Sequence, residues 1–145
     1  MSEFIPDQID LFLKPSYTTA IIHFNSQQWY AAHDGFEELW YEASGDLREL
    51  LQGIIQVSVA EYHLDNGNTR GSILLMAEGL NHLDSSQSLV TGYDLARLRD
   101  LVRQRLCALQ SQVDLVDFPK PHLSPMDSVD LSKLPSIASM PEVSP

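Results

Sequence analysis

The chain is poor in cysteine, in positive charge and in long apolar runs, and each shortage narrows what it can be. Cys107 is the single cysteine in 145 residues. No disulfide can close within the chain, and a reducing, cytoplasmic setting is expected. Cys107 falls in a helical pattern, where a small core residue is expected. No apolar stretch approaches the ~20 residues needed to cross a bilayer. The opening Met1-Ser2-Glu3-Phe4-Ile5-Pro6-Asp7 is acidic and has no apolar run, so neither a typical signal peptide nor a basic transit peptide is expected. Lys and Arg number 9 against 20 Asp and Glu, a formal net charge of -11. Such a field repels phosphate, so nucleic acid and membrane surfaces are not expected partners. It suits a cation, a basic protein partner or simply a soluble acidic surface. A small ligand, a protein partner and a second copy of the chain all stay open.

Strand alternation is also missing, and helical periodicity takes its place. Residues 1–15 read as a lead-in segment punctuated by Pro6 and Pro15. Residues 16–113 read as one helical domain. Ser16 is the expected N-cap of a short helix from Tyr17 to about Phe24, with Ala20, Ile21 and Phe24 on one face. Asn25-Ser26 breaks the run and is expected to cap a second helix, from about Gln27 to Glu42, whose apolar side is Trp29, Ala32, Phe36, Leu39 and Trp40. Gly35 lies mid-helix at a cost of roughly 1 kcal/mol against alanine, as at a close helix contact. Gly45 is expected to end that helix and Asp46 to start the third, which runs to about Leu64. The third helix is apolar over most of its circumference, the mark of a central element, and Gly53 would let a neighbour approach it closely.

Asp65-Asn66-Gly67-Asn68 reads as a turn, with Gly67 in the left-handed position and Asn68 as the next N-cap. A fourth helix follows from about Thr69 to Leu83. A fifth, opened by Thr91-Gly92-Tyr93-Asp94, reaches about Val113, with Arg97, Arg99, Arg103 and Arg105 expected on its solvated side. Six of the eight prolines fall at or after Pro119. Residues 114–145 therefore read as a Pro- and Ser-rich tail, either disordered or laid along the bundle through Phe118, Leu123, Leu131 and Leu134. The expected fold is all-α, a single-domain bundle of about five helices with an irregular C-terminal tail.

Chemistry-bearing residues concentrate in two stretches. His33, Glu37 and Trp40 share one face of the second helix, at spacings of four and three. Gln52, Gln56 and His63 share one face of the third. Across a short Ser44-Gly45 link the two stripes are expected to face each other. A His and a Glu one helical turn apart are a standard pair of metal ligands, and His63 could supply a third, giving a divalent metal site of His33, Glu37 and His63. The same groups could do acid–base work, with Glu37 orienting His33. They also have purely structural readings. His33 and Glu37 could be a surface helix pair. Gln52, Gln56 and His63, with Glu49, could be the wet stripe of a buried helix or a hydrogen-bond network fixing register. Glu78 and His82 are also one turn apart, with nothing in the sequence to complete a site. His23 is expected to be half-buried.

Phe24-Asn25, Trp29-Tyr30-Ala31-Ala32-His33-Asp34 and Glu37-Glu38-Leu39-Trp40 resemble the opening signature of the family catalogued as domain of unknown function 309. The second signature resembles Leu50-Leu51-Gln52-Gly53-Ile54-Ile55-Gln56, followed by His63, Gly67-Asn68 and Gly71. The resemblance covers about residues 16–83. It departs at Asp34, where the family usually has Glu. The shorter side chain keeps the charge but has less reach, which counts against a ligand role there. The resemblance implies a small, single-domain, all-helical protein in which His33, Glu37, Trp40, Gln52, Gln56 and His63 form one recurring constellation. It implies no activity.

Two functions follow as expectations. In the first, a polar pocket between the second and third helices binds a divalent metal or a small polar ligand. Gln52 and Gln56 then orient the ligand and Trp40 walls it off; if the site is catalytic, metal-assisted hydrolysis is the favoured chemistry. In the second, the chain is a non-enzymatic interaction module whose polar cluster is structural. The Ala20–Ala32 hairpin resembles tetratricopeptide pairing, although no second repeat appears at a 34-residue period.

Overall fold

A computed structural model describes residues 14–126. The lead-in up to residue 13 lies outside the described residues, as do Leu131, Leu134 and the rest of the chain from 127. Among the described residues the protein is all-α: α1 (Pro15–Asn25), α2 (Trp29–Glu42), α3 (Gly45–Asp65), α4 (Thr69–Ser85) and α5 (Leu95–Gln110). Consecutive helices pack on one another, and the α3–α4 contact is the most extensive.

The helix ends show where local signals were overridden. Lys14, not Ser16, is the N-cap of α1, because Pro15 takes the first helical position, where its missing N–H costs nothing. Asn25-Ser26 does not cap α2; Gln28 precedes Trp29 without a side-chain cap. Asn25 is used elsewhere. Its amide donates to the Leu123 carbonyl at 2.8 Å and its Oδ1 accepts from the Leu123 N–H at 2.7 Å. Gly45 opens α3 rather than closing α2, in a left-handed conformation at φ 62°. Asn68 caps α4 as expected, accepting from the Gly71 N–H at 2.9 Å. Asp94 caps α5 through Arg97 N–H, so that helix starts later and stops earlier than its periodicity suggested.

The core is continuous across all five helices. Phe24 meets Trp29 and Phe36 edge-on, at centroid distances of 5.3 and 6.2 Å, and locks α1 to α2. Gly35 lies against Ala20, where an added Cβ would come within 3.1 Å of the Ala20 Cβ. The tightest approach is α3 to α4. A Cβ on Gly53 would lie 2.8 Å from Leu83 Cδ2 and 2.9 Å from the Gly79 carbonyl oxygen, and one on Gly79 would lie 3.1 Å from the Gly53 carbonyl. The two backbones touch there because neither residue has a side chain.

Two expectations about the fifth helix are corrected. Cys107 is exposed rather than a core residue. Arg105 is not on the solvated side: it is 1% exposed. Its Nε and Nη2 each donate to the Glu61 carboxylate at 2.6 Å, and Nη1 donates to the Phe118 carbonyl at 3.2 Å. Glu61 is fully buried in α3. Burial pushes its carboxyl up from the usual range, and the hydrogen bonds from Arg105 pull against that rise. The pair therefore joins α3, α5 and the segment after α5. That segment is irregular but docked. Leu123 is completely buried, and the Met126 N–H donates to the Gly92 carbonyl at 2.8 Å.

Two outcomes test this packing. Gly53→Ala gains roughly 1 kcal/mol of helix propensity. The clash with backbone oxygen outweighs it, so the urea midpoint falls by the equivalent of about 1–2 kcal/mol with an unchanged m-value. Arg105→Met leaves Glu61 uncompensated and costs about 3–5 kcal/mol. Adding Glu61→Leu recovers much of that loss, which a double-mutant cycle by urea unfolding measures.

Candidate functional site

α3 is buried on nearly every side. Its half-exposed residues are spaced three and four apart: Glu49, Gln52, Gln56, Val59 and His63 form a single stripe down the helix. α2 meets this stripe on one side and α4 on the other. The buried row of α2 is Trp29, Ala32 and Phe36. His33 and Glu37 follow one position behind that row, and Trp40 lies one turn beyond Phe36; all three emerge, half-buried, at its edge.

The six expected site residues do not converge on one point. His33 and His63 line one cleft of about 140 Å³, with Trp29, Tyr30, Val59 and Tyr62. Tyr30 and Tyr62 are 59% and 40% exposed, and their rings lie 5.6 Å apart. Tyr62 thus contributes to the cleft rim and not to the core stripe of α3. Trp40 and Gln52 line a second cleft of about 280 Å³, with Gly45, Arg48, Glu49 and His82. Gln56 lines neither. Its amide turns to α4 and donates to Glu78 Oε1 at 3.2 Å.

Around His33 the geometry is suited to a cation. Nδ1 is buried and makes no hydrogen bond. It lies 3.3 Å from Asp34 Oδ1, outside hydrogen-bonding geometry, while Nε2 lies 3.9 Å from Glu37 Oε1. One donor atom from each of His33, Asp34 and Glu37 falls within 4.8 Å of the others. Asp34, which the sequence comparison counted against as a ligand, is therefore the carboxylate closer to the imidazole. The cluster contains Asp34; His63 is outside it, in the adjoining cleft.

The pairing of α4 with α3 was not legible. Glu78 and His82 were noted as an isolated pair, yet each partners a residue of α3. His82 Nδ1 lies 2.6 Å from Glu49 Oε2. Arg48 was not singled out at all, and its guanidinium carbon sits 3.8 Å above the Trp40 ring. The available signal was the spacing of Glu49 ahead of Gln52 and Gln56, which extends the stripe by one turn toward α4.

A family model described as Domain of unknown function (DUF309) matches residues 17–75. The chain resembles that family. The match spans α1, α2, α3 and the start of α4, so it includes both clefts' contributions from α2 and α3 but stops short of Glu78 and His82. No curated protein matches the chain. Among the described residues, no helix is long and apolar enough to cross a membrane.

These contacts separate two roles by stability. His33→Leu removes a buried nitrogen that has no hydrogen bond to lose, so the metal-free protein is expected to be as stable as wild type or more stable. His82→Leu breaks a made hydrogen bond and is expected to cost about 1 kcal/mol. Urea unfolding of both variants in the presence of chelator compares them directly.

Proposed function

We propose that the protein binds a divalent cation at His33, Asp34 and Glu37 and holds a small ligand in the adjoining cleft. The observation that carries this reading is the buried Nδ1 of His33, which lacks a hydrogen bond beside a carboxylate oxygen 3.3 Å away. Buried polar atoms in folded proteins are nearly always paired. Two donors that share a metal at about 2.0–2.2 Å each stand roughly this far apart. Glu37 faces Nε2, the other ring nitrogen, at 3.9 Å, and its side chain, 45% exposed, is free to turn toward the ion at Nδ1. The net charge of -11 favours a cation at this surface.

One imidazole and two carboxylates suit borderline ions such as zinc or manganese. Three protein donors leave coordination positions for water or ligand, the arrangement from which metal-assisted hydrolysis proceeds. His63, in the cleft beside the cluster, is a further donor for the same ion or for its ligand. Trp29, Tyr30 and Tyr62 supply apolar and aromatic walls. The structural-network reading accounts for the Gln56 amide N–H with Glu78 and for Glu49 with His82; Gln56 Oε1 and Ser72 Oγ are also buried without a partner, and of these three atoms only His33 Nδ1 has carboxylates beside it.

Zinc and manganese titrations of the untagged protein test the reading. The expected result is a rise in melting temperature that chelator reverses. A metal at one hundred times its dissociation constant adds about 2.7 kcal/mol of stability. His33→Leu and the double variant Asp34→Asn/Glu37→Gln should fold and lose that rise. A rise that survives both substitutions, or none in the wild type, overturns the proposal.

A further inference from the structure

The second cleft has a chemistry opposite to the first. Its prominent charge is the Arg48 guanidinium, whose central carbon sits over the Trp40 ring, 3.8 Å from its centroid. Among the described residues no carboxylate forms an ion pair with it. Stacking engages the face of a guanidinium and leaves the N–H donors on its edge available. Stacking also fixes the plane of those donors, so less side-chain entropy is lost when an acceptor binds. Gln52 lines the same cleft, and among the described residues none hydrogen-bonds its side-chain amide. Gly45 closes one end of the cleft at the first residue of α3, the positive end of that helix. Glu49 and His82 form the opposite wall, each occupied with the other at 2.6 Å. His82 uses Nδ1 in that bond, and no described residue takes its Nε2.

We propose that the cleft bounded by Trp40, Arg48, Gln52 and His82 is a second binding site, which takes a small monocarboxylate on the edge of the Arg48 guanidinium. A carboxylate matches the planar fork of two parallel N–H donors, and such bidentate pairs are among the stronger hydrogen-bonded contacts. The Gln52 side-chain amide lines the same cleft and is a further N–H donor for the ligand's carboxylate. A divalent cation is disfavoured by Arg48. Phosphate is disfavoured because Glu49 lines the same cleft and a second negative charge on the ligand would face it. The volume of about 280 Å³ is at the small end of ligand pockets and selects a compact molecule. This site does not depend on a metal at His33, and its test runs with chelator present.

The experiment is a titration of the full chain with benzoate, followed by two-dimensional ¹H–¹⁵N NMR, with the neutral isostere benzamide and inorganic phosphate as comparisons. The expected result is saturable movement of the Trp40 indole N–H, the Arg48 Nε–H and the Gln52 side-chain amide with benzoate, and markedly weaker effects with benzamide and phosphate. Arg48 is exposed, so Arg48→Gln should fold and lower the affinity by roughly tenfold or more. Arg48→Lys keeps the charge without the fork and should also weaken binding. Gln52→Met serves as an independent variant with a smaller loss. Equal shifts with benzamide, tighter binding of phosphate, full affinity in Arg48→Lys, or no saturable shift at tens of millimolar benzoate would each overturn the proposal.

Discussion

The contact of α3 with α4 at Gly53 and Gly79 sets the geometry on which the rest of the structure depends. With no side chain on either residue, each backbone carbonyl stands close to where the other residue's Cβ would be. At that separation the side chains flanking the contact are within hydrogen-bonding reach, which is why Gln56 meets Glu78 and Glu49 meets His82. A larger residue at either position would part the helices and break those two bonds before it exposed the core. The same approach leaves the middle of α3, from Leu50 to Glu61, covered except for Gln52, Gln56 and Val59; the ends of the helix are more exposed. Both clefts are built on the stripe through Gln52, Gln56 and Val59.

Charge is handled in two ways. Glu61 and Arg105 are buried deeply and satisfied fully, in a pair that binds the chain after α5 to the bundle. A buried ion pair of this kind adds little net stability, but it fixes which segments meet, since either partner alone would be costly. His33, Asp34, Glu37 and Arg48 are different. His33 Nδ1 is buried without a hydrogen bond beside two carboxylates, and Arg48, at the surface, has no ion pair among the described residues. Residues that serve only the fold tend to be paired; residues held ready and unpaired reduce stability and are the natural places to look for a ligand.

Much of the fold was legible because α3 carries apolar residues on almost every side and Gly35 and Gly53 interrupt otherwise good helices. What was misread depended on contacts distant in sequence. Asn25 looks like a helix cap, but its side chain is claimed by Leu123, 98 positions later. Arg105 looks like one of four solvated arginines. Yet it stands seven and four residues after the buried Leu98 and Leu101 and three before the buried Ala108, in a row the periodicity does contain, and its partner Glu61 is 44 positions earlier. Gly45 has the composition of a terminator and the conformation of a start. Of the site, the stripes on α2 and α3 were legible from spacing alone. Their division into two clefts was not, because it is α4 that draws Gln56 away and brings His82 beside Trp40 and Gln52.

A cation held at the polar edge of α2 by His33 is visible by anomalous diffraction at the zinc edge from crystals of the full chain grown with zinc. A peak is expected within bonding distance of His33 Nδ1 and the Asp34 carboxylate, with Glu37 turned toward it. A zinc-loaded crystal with its peaks elsewhere, and with His33 still unbonded, would contradict this cation site.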